Sequence, residues 1–279
     1  MFNKDNPAIE HDCLEPKEGF ISYWLPFLRW TKSSPKQLKD AEEDFLKYLK
    51  TPSEGFHVNI GDINGSPCKI WTRLYRQANC STSDPPLVMM HGMGAGSALW
   101  ALNIDTICSE QKRAVITIDL PGFARSSRCK LSSDPDESET QLVICIEEWR
   151  KKMEIDKIIL LGHSFGGYLA ASYALQYPEH LEGLILVDPW GMNQKPSDIV
   201  EKYDVSLGVR MLFKVVKHLN PLWGLRVSGP FGPKLIPRFR PDLVAKFTSL
   251  VGEDNPDLVP SYIYHCNAHN PTGEAAFHR

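Results

Sequence analysis

The sequence lacks the features that would assign the chain to several special classes of protein. No apolar stretch approaches the roughly 18 to 20 residues that span a bilayer. The N-terminal segment MFNKDNPAIEHDCLEP contains no apolar core of a secretory signal. The seven cysteines are odd in number and scattered, without a C-x-x-C pair. This distribution predicts reduced thiols in an intracellular protein and argues against a disulfide scaffold or a zinc module.

The chain also has no large excess of positive or negative charge. A net charge of -3 and a pI near 6.3 give no global attraction to nucleic acid. The 279 residues, of which 42% are hydrophobic, are enough to bury a large core. We expect one domain with an insertion, divided into an N-terminal aromatic segment and helix (1–50), a core (51–191) and a cap (192–279). Neither a metal nor an organic cofactor is expected.

Two patterns occupy the N-terminal segment. The stretch GFISYWLPFLRW carries Trp24 and Trp30, which we interpret either as an interfacial membrane anchor or as part of the protein's own core. The stretch PKQLKDAEEDFLKYLK starts with proline and has apolar residues at helical spacing, which predicts a helix with one buried stripe.

From residue 56 onwards the pattern is that of strands, beginning with a hairpin whose turn is Asn64-Gly65. Short apolar runs follow at 87–90, 114–118, 158–161 and 184–187, and helical patterns separate them. Short buried strands alternating with helices predict an α/β fold, with a mostly parallel sheet covered by helices on both faces. In such sheets the chemistry lies at the carboxyl ends of the strands.

The motif Gly162-His163-Ser164-Phe165-Gly166 follows one of these strands and precedes a predicted helix. Strand, G-x-S-x-G and helix together are the context of a nucleophile elbow, so Ser164 is the candidate catalytic nucleophile. The turn is strained and tightly packed, which requires Gly162 and Gly166 because they have no side chains.

A second motif, His91-Gly92-Met93-Gly94-Ala95-Gly96, follows the first of the short strands. Acyl transfer places negative charge on the carbonyl oxygen, and backbone N-H groups stabilise it. We assign this oxyanion hole to the N-H groups of Met93 and Phe165. A phosphate-binding loop would require a following lysine, which is absent. In a third motif, DLPGFARSS, we expect Asp119 to bond backbone and to have a structural role.

In their order and spacing, HGMGAG, DLPGFARSS and GHSFGG resemble the α/β-hydrolase superfamily. Further stretches narrow the resemblance to the abhydrolase-domain-containing four/five subfamily: ALWALNID, CIEEWRKKM, LILVDPWGM, GPFGPKLI and SYIYHCNAHNPTGEAAF. That subfamily comprises lipases of N-acyl phospholipids and lysophospholipids and a lipid-droplet lipase coactivator. The chain departs from the superfamily pattern at Ala124, where a second glycine is common.

The resemblance implies a helical cap and an activity on acyl esters of N-acyl phospholipids or lysophospholipids. The coactivator branch has asparagine at the nucleophile position, so Ser164 favours the hydrolase branch. Two alternatives stay open, a lysophosphatidic acid acyltransferase and a non-catalytic lipid-droplet adaptor. The acyltransferase is attributed to a downstream His-x-x-x-x-Asp motif, whereas the one such spacing here, His57 to Asp62, lies in the hairpin, and we interpret it as chance.

A serine nucleophile also needs a histidine base and an acid that orients it. None of the downstream histidines His180, His218, His265, His269 and His278 follows a final core strand. Asp188 ends the strand at 184–187 and is a candidate acid, although we prefer a structural role in the turn that follows. The resemblance places acid and base after the cap, so we expect them beyond Arg279. We therefore interpret the chain as a C-terminally truncated form, inactive or weakly active.

Residues 201–250 combine cationic and apolar side chains and could form a basic lid for an anionic lipid surface, or only a solvated helix face. The expected partners are a lipid substrate, a membrane or lipid-droplet surface and a lipase or lipid-droplet coat protein. The expected location is cytoplasmic, at the surface of lipid droplets or the endoplasmic reticulum, with the mitochondrion as an alternative. The cations are Lys202, Arg210, Lys214, Lys217, Arg226, Lys234, Arg238, Arg240 and Lys246.

Overall fold

The computed structural model describes residues 6–11, 33–77, 80–81, 83–192, 222–270 and 272–277. The proposed anchor residues Trp24 and Trp30 lie outside the described residues, as do His218 and His278. Four of the predicted lid cations, all between residues 202 and 217, also lie outside them. Among the helices of the described ranges, none is both long and apolar enough to cross a membrane.

Seven strands form a single sheet in the order β1-β2-β3-β5-β4-β6-β7. The first three strands and β5 pair antiparallel, whereas β5, β4, β6 and β7 run parallel. The parallel part contains all four predicted short strands. The strands are β1 (Ile9–Glu10), β2 (Ser53–Ile63), β3 (Ser66–Tyr75), β4 (Leu87–Met90), β5 (Val115–Ile118), β6 (Ile158–His163) and β7 (Leu181–Val187).

The β2–β3 hairpin turns at Asn64 and Gly65, which both have positive φ (51° and 71°). Asparagine and glycine tolerate this conformation, as a two-residue hairpin turn requires. The helices among the described residues are α1 (Pro35–Leu46), α2 (Ala101–Glu110), α3 (Pro135–Lys152), α4 (Phe165–Gln176), α5 (Trp223–Val227), α6 (Gly232–Phe239), α7 (Pro241–Val251), α8 (Leu258–Asn267) and α9 (Thr272–Phe277).

Alternate residues of the central strands face opposite sides of the sheet. Val88 and Met90 of β4 join the larger core, which includes residues of α3 and α4. Leu87 and Met89 join a second cluster that includes Ile104 of α2. The sheet is therefore covered on both faces at β4, as its continuous apolar run predicted. The prediction of a buried strand was wrong for β7, where Leu184, Ile185, Leu186 and Val187 are 39%, 43%, 37% and 39% exposed, because β7 is the last strand of the described sheet and pairs on one side only.

Helix α1 shares a third apolar cluster with the helices near the C-terminal end. Phe45 lies with its ring centroid 5.2 Å from Phe247 of α7 and 5.7 Å from Tyr262 of α8. The predicted stripe of α1 is buried at Leu38, Ala41 and Phe45, but Glu42 is buried as well. The N-terminal helix is thus packed against part of the predicted cap.

Candidate active site

The elbow has the backbone conformation that the motif predicts. Strand β6 ends at His163, Ser164 has φ 54° and ψ -116°, and α4 begins at Phe165. A Cβ on Gly162 would lie 2.2 Å from the Gly166 carbonyl oxygen, and a Cβ on Gly166 would lie 2.5 Å from that of His91. Both positions therefore exclude any side chain.

Two backbone hydrogen bonds connect the elbow to the end of β7. The Ser164 N-H donates to the Val187 carbonyl, and the Trp190 N-H donates to the Ser164 carbonyl, each over 3.0 Å. These bonds help to offset the strain of a non-glycine residue at positive φ, which amounts to about 1–3 kcal/mol.

The loop after β4, residues 91–96, is in direct contact with the elbow. A Cβ on Gly92 would lie 3.0 Å from the Ser164 Cβ and 3.0 Å from the His163 Nδ1. Met93 is half-buried, and Phe165 occupies the first turn of α4. Within the described part of the chain, no hydrogen bond uses the N-H of Met93 or of Phe165 as donor. These two backbone N-H groups therefore have no other hydrogen-bond acceptor among the described residues.

His91 is a buried, neutral structural residue. The Leu120 N-H donates to its Nε2 over 3.0 Å, so the ring carries its hydrogen on Nδ1 and donates it to the Gly92 carbonyl over 2.8 Å. Burial lowers the pKa of His91 to about 4, and the charge of His163 acts in the same direction. The imidazole thereby connects the Gly92 backbone to the segment after β5.

Asp119 bonds backbone, in agreement with the structural role expected for it. Its Oδ1 accepts from the Ser97 N-H over 2.7 Å, and its Oδ2 accepts from the Arg125 N-H over 2.9 Å. Burial raises the pKa of this carboxyl, and the charge of Glu42 raises it further.

The described downstream histidines have partners other than Ser164. The His265 Nδ1 and the His269 Nε2 each lie within hydrogen-bonding distance of the Ser33 hydroxyl, at 3.0 and 3.2 Å. His180 is nearest to Glu147 and Glu179. Within the described ranges, no side chain hydrogen-bonds to the Ser164 hydroxyl. These histidines are therefore not positioned as the base.

Asp188 has a positive φ of 48° and is exposed. Among the described residues it makes no side-chain hydrogen bond to a histidine. Its neighbour Trp190 packs against the rings of Tyr168 and Phe277, with centroids 5.7 and 4.8 Å away. Phe165 joins the same aromatic group, which lines one side of the elbow.

Three buried polar residues behind the loop were not found from the sequence. Glu42 of α1 accepts a hydrogen bond from the Ser97 hydroxyl, the Asn267 amide donates to the Gly94 carbonyl, and the Tyr262 hydroxyl accepts from the Ala98 N-H. For Glu42 a signal existed, because a carboxylate four residues after Leu38 and three before Phe45 falls on the apolar stripe of its helix.

The sequence of residues 85–267 matches the family model of the alpha/beta hydrolase fold. The chain therefore belongs to the α/β-hydrolase family, and the predicted fold class and family are confirmed.

Two groups of curated relatives match at 42% identity. One is the 1-acylglycerol-3-phosphate O-acyltransferase ABHD5 of Mus musculus, with 97% of this chain and 74% of the relative covered. Another is the (lyso)-N-acylphosphatidylethanolamine lipase of Homo sapiens, with 95% of this chain and 74% of the relative covered. The chain is thus equally similar to a relative named as an acyltransferase and to one named as a lipase. Both relatives fit the subfamily that the sequence resembles.

Solved structures agree in fold. A membrane phospholipase A, described as a novel bacterial virulence factor, superposes with a TM-score of 0.53 at 17% identity, over 92% of this chain and 68% of that chain. A probable hydrolytic enzyme from Pseudomonas aeruginosa superposes with a TM-score of 0.51 at 18% identity, over 82% of this chain. The chain spans 65% of that enzyme, just under two thirds of its length.

Replacing Gly162 with alanine should destabilise the protein because the new methyl would meet backbone 2.2 Å away. We expect a loss of at least about 2 kcal/mol in the free energy of unfolding, measured by urea titration. Gly224→Ala is the matched control, since nothing lies within 4 Å of its Cβ position in α5. Equal stability of the two variants would contradict the packing of the elbow.

The buried neutral His91 should make stability depend on pH. Its pKa of about 4 in the folded protein lies below the ordinary value of about 6.5, so the unfolded chain binds more protons between these values. The contribution of His91 to the free energy of unfolding should therefore rise by up to about 3 kcal/mol between pH 4 and 6.5. Above pH 6.5 this contribution should stay constant. His91→Gln should remove this dependence, whereas replacing the exposed His163 with glutamine should retain it.

Proposed function

We propose that the chain is a lipid-directed serine hydrolase that cleaves acyl esters of N-acyl phospholipids or lysophospholipids. The observation that carries the proposal is the contact between the Ser164 elbow and the loop of Met93. The N-H groups of Met93 and Phe165 also have no other hydrogen-bond acceptor among the described residues. The relative named as a lipase supports the substrate class, and the family supports a hydrolase in general.

In the proposed reaction the Ser164 hydroxyl attacks the ester carbonyl and gives its proton to a histidine outside the described residues. The N-H groups of Met93 and Phe165 hold the oxyanion that forms. Collapse of the tetrahedral intermediate releases the protonated alcohol and leaves the acyl group on Ser164, and water then releases the fatty acid. The aromatic side chains of Tyr168, Trp190 and Phe277 provide an apolar surface for the acyl chain next to the elbow.

A second candidate, acyl transfer to lysophosphatidic acid, is favoured by the relatives named as 1-acylglycerol-3-phosphate O-acyltransferases, which are as similar as the lipases. Ser164 would attack the thioester of acyl-CoA and release CoA as its thiol, and the acyl-serine would then pass the acyl group to the glycerol hydroxyl of lysophosphatidic acid instead of to water. A third, the lipid-droplet adaptor, would bind a lipase or coat protein and would not use the hydroxyl of Ser164.

Labelling with a fluorophosphonate probe tests the nucleophile. We expect the wild-type chain to be labelled and Ser164→Ala to be unlabelled, because the variant lacks the hydroxyl that attacks the probe. Equal labelling of the two proteins, or none of either, would contradict the hydrolase.

The same two proteins distinguish the candidate activities. Lysophospholipid as sole substrate should yield fatty acid in a Ser164-dependent manner if the chain is a hydrolase. Phosphatidic acid formed only when acyl-CoA and lysophosphatidic acid are both present would favour the acyltransferase. If neither product depends on Ser164, the adaptor is favoured.

We also propose that the chain binds an anionic lipid surface, at a lipid droplet or at the endoplasmic reticulum, through its aromatic N-terminal segment and cap. In the described cap, Phe231 and Phe239 are 59% and 71% exposed, and the cations Lys234 and Arg238 are exposed close by in the sequence. Exposed aromatic rings with flanking cations suit the headgroup layer of an anionic membrane.

Flotation with phosphatidylcholine vesicles containing phosphatidylserine tests this surface. We expect the double variants Trp24→Ala/Trp30→Ala and Phe231→Ala/Phe239→Ala each to lower the floated fraction, because each removes apolar area that enters the lipid. The control is Leu175→Ala, which removes a side chain 86% exposed on α4. Flotation unchanged in both double variants, or independent of phosphatidylserine, would contradict the proposal.

A further inference from the structure

Glu42 of α1 is a fully buried carboxylate with a complete set of partners. Its Oε1 accepts from the Trp71 Nε1 over 3.1 Å and from the Ser97 hydroxyl over 3.2 Å. Its Oε2 accepts from Arg125 over 2.6 Å and from Arg73 over 3.3 Å. Burial alone would raise the pKa of Glu42, but the two guanidinium groups reverse this effect and lower it. The carboxylate is therefore ionised and held in one position.

Ser97 connects this carboxylate to the loop that carries Met93. It is completely buried and starts the 3₁₀ turn (Ser97–Trp100) directly after Gly96. Its hydroxyl donates to Glu42, and its N-H donates to Asp119. The C-terminal end of the loop is thus fixed by two carboxylates, which approach Ser97 from different elements.

Arg125 binds both of the carboxylates that hold Ser97. Its guanidinium binds Glu42, and its backbone N-H donates to the other oxygen of Asp119. Its guanidinium carbon also lies 3.4 Å from the centre of the Trp71 ring, in a cation–π arrangement. Displacing Glu42 would leave the two buried guanidinium groups incompletely neutralised, which is unfavourable away from the protein surface.

The other parts of the loop are held by different groups. His91 fixes the N-terminal end through Leu120, and Asn267 of α8 donates to the carbonyl of Gly94. Met93 therefore lies between fixed points, and Ser97 holds the C-terminal end of the same loop. A backbone donor contributes to catalysis only when it is aimed at the developing oxyanion.

We propose that Glu42 is a positioning residue, which acts through Ser97 to hold the loop and the Met93 N-H in place for acyl transfer at Ser164. This inference rests on the proposed serine hydrolase and extends it to a helix outside the matched family region, residues 85–267. Helix α1 is thus functionally connected to the reaction centre, although it does not touch it.

Glu42→Gln tests the role of the charge because it retains the size of the side chain. The matched control is Glu43→Gln, since Glu43 is the next residue, also pairs with Arg73, and is 44% exposed with no hydrogen bond to Ser97. At a temperature where all variants are folded by circular dichroism, we expect about tenfold slower fluorophosphonate labelling for Glu42→Gln and an unchanged rate for Glu43→Gln. Equal rates in the two variants would overturn the proposal.

Ser97→Ala removes the connecting hydroxyl and leaves Glu42 with its arginines. It should also slow labelling, and the double variant with Glu42→Gln should be no slower than Glu42→Gln alone, because both changes interrupt one path. If the double variant is slowed by the product of the two single effects, Glu42 stabilises the fold without acting through Ser97. If Glu42→Gln fails to fold, Ser97→Ala tests the proposal by itself. An unchanged labelling rate in Ser97→Ala would overturn it.

Amide hydrogen exchange separates this inference from the proposed function. We expect faster exchange confined to residues 92–97 in Ser97→Ala and Glu42→Gln, with the rest of the chain unchanged. If the wild-type chain is not labelled, the hydrolase proposal fails, and exchange alone decides whether Glu42 positions the loop. Exchange that is unchanged, or that increases over the whole chain, would overturn it.

Discussion

The backbone of the elbow lies directly against the backbone of the loop after β4, with no space for side chains between them. Gly166 faces the carbonyl of His91, and Gly92 faces the Cβ of Ser164. The positions of the hydroxyl and of the two nearby N-H groups are therefore set by contacts between main-chain segments. Such contacts vary little with side-chain rotamers, which suits the oxyanion-binding role that we propose for these groups.

Around this contact, the order of the strands decides which segments can meet. Strand β4 lies between β5 and β6, so the segments following all three emerge side by side at one edge of the sheet. The His91 ring bonds to the segment after β5, and the elbow after β6 bonds to the end of β7. The site is thus assembled from the carboxyl ends of neighbouring parallel strands.

A second layer of contacts comes from helices outside the sheet. Helix α1 supplies Glu42 and shares an apolar cluster with α7 and α8, and α8 supplies Asn267 and Tyr262 to the loop. The loop is consequently held on one side by the sheet and on the other by this helical layer. Ionised and hydrogen-bonded side chains carry these contacts, so they are specific in direction as well as favourable in energy.

Much of the fold was predictable because it depends on neighbours in the sequence. Apolar runs predicted β4 to β7, Asn64-Gly65 predicted the hairpin turn, and the glycines around Ser164 predicted a tight strand-turn-helix. The Glu42 contacts were not predicted, because helical periodicity marks such a residue only as a polar exception on an apolar stripe. The partners of His265 and His269 were equally hidden, since Ser33 precedes them by more than 230 residues.

The sequence by itself determined the local elements and the residues of the elbow, because strand and helix periods and the need for glycine are properties of short segments. Only the tertiary structure decided that Glu42 and Ser97, 55 positions apart, share a hydrogen bond behind the loop. The physical reason is that burying a carboxylate is favourable only where several distant donors converge on it. That convergence exists only once the sheet, α1 and the segment after β5 have packed together.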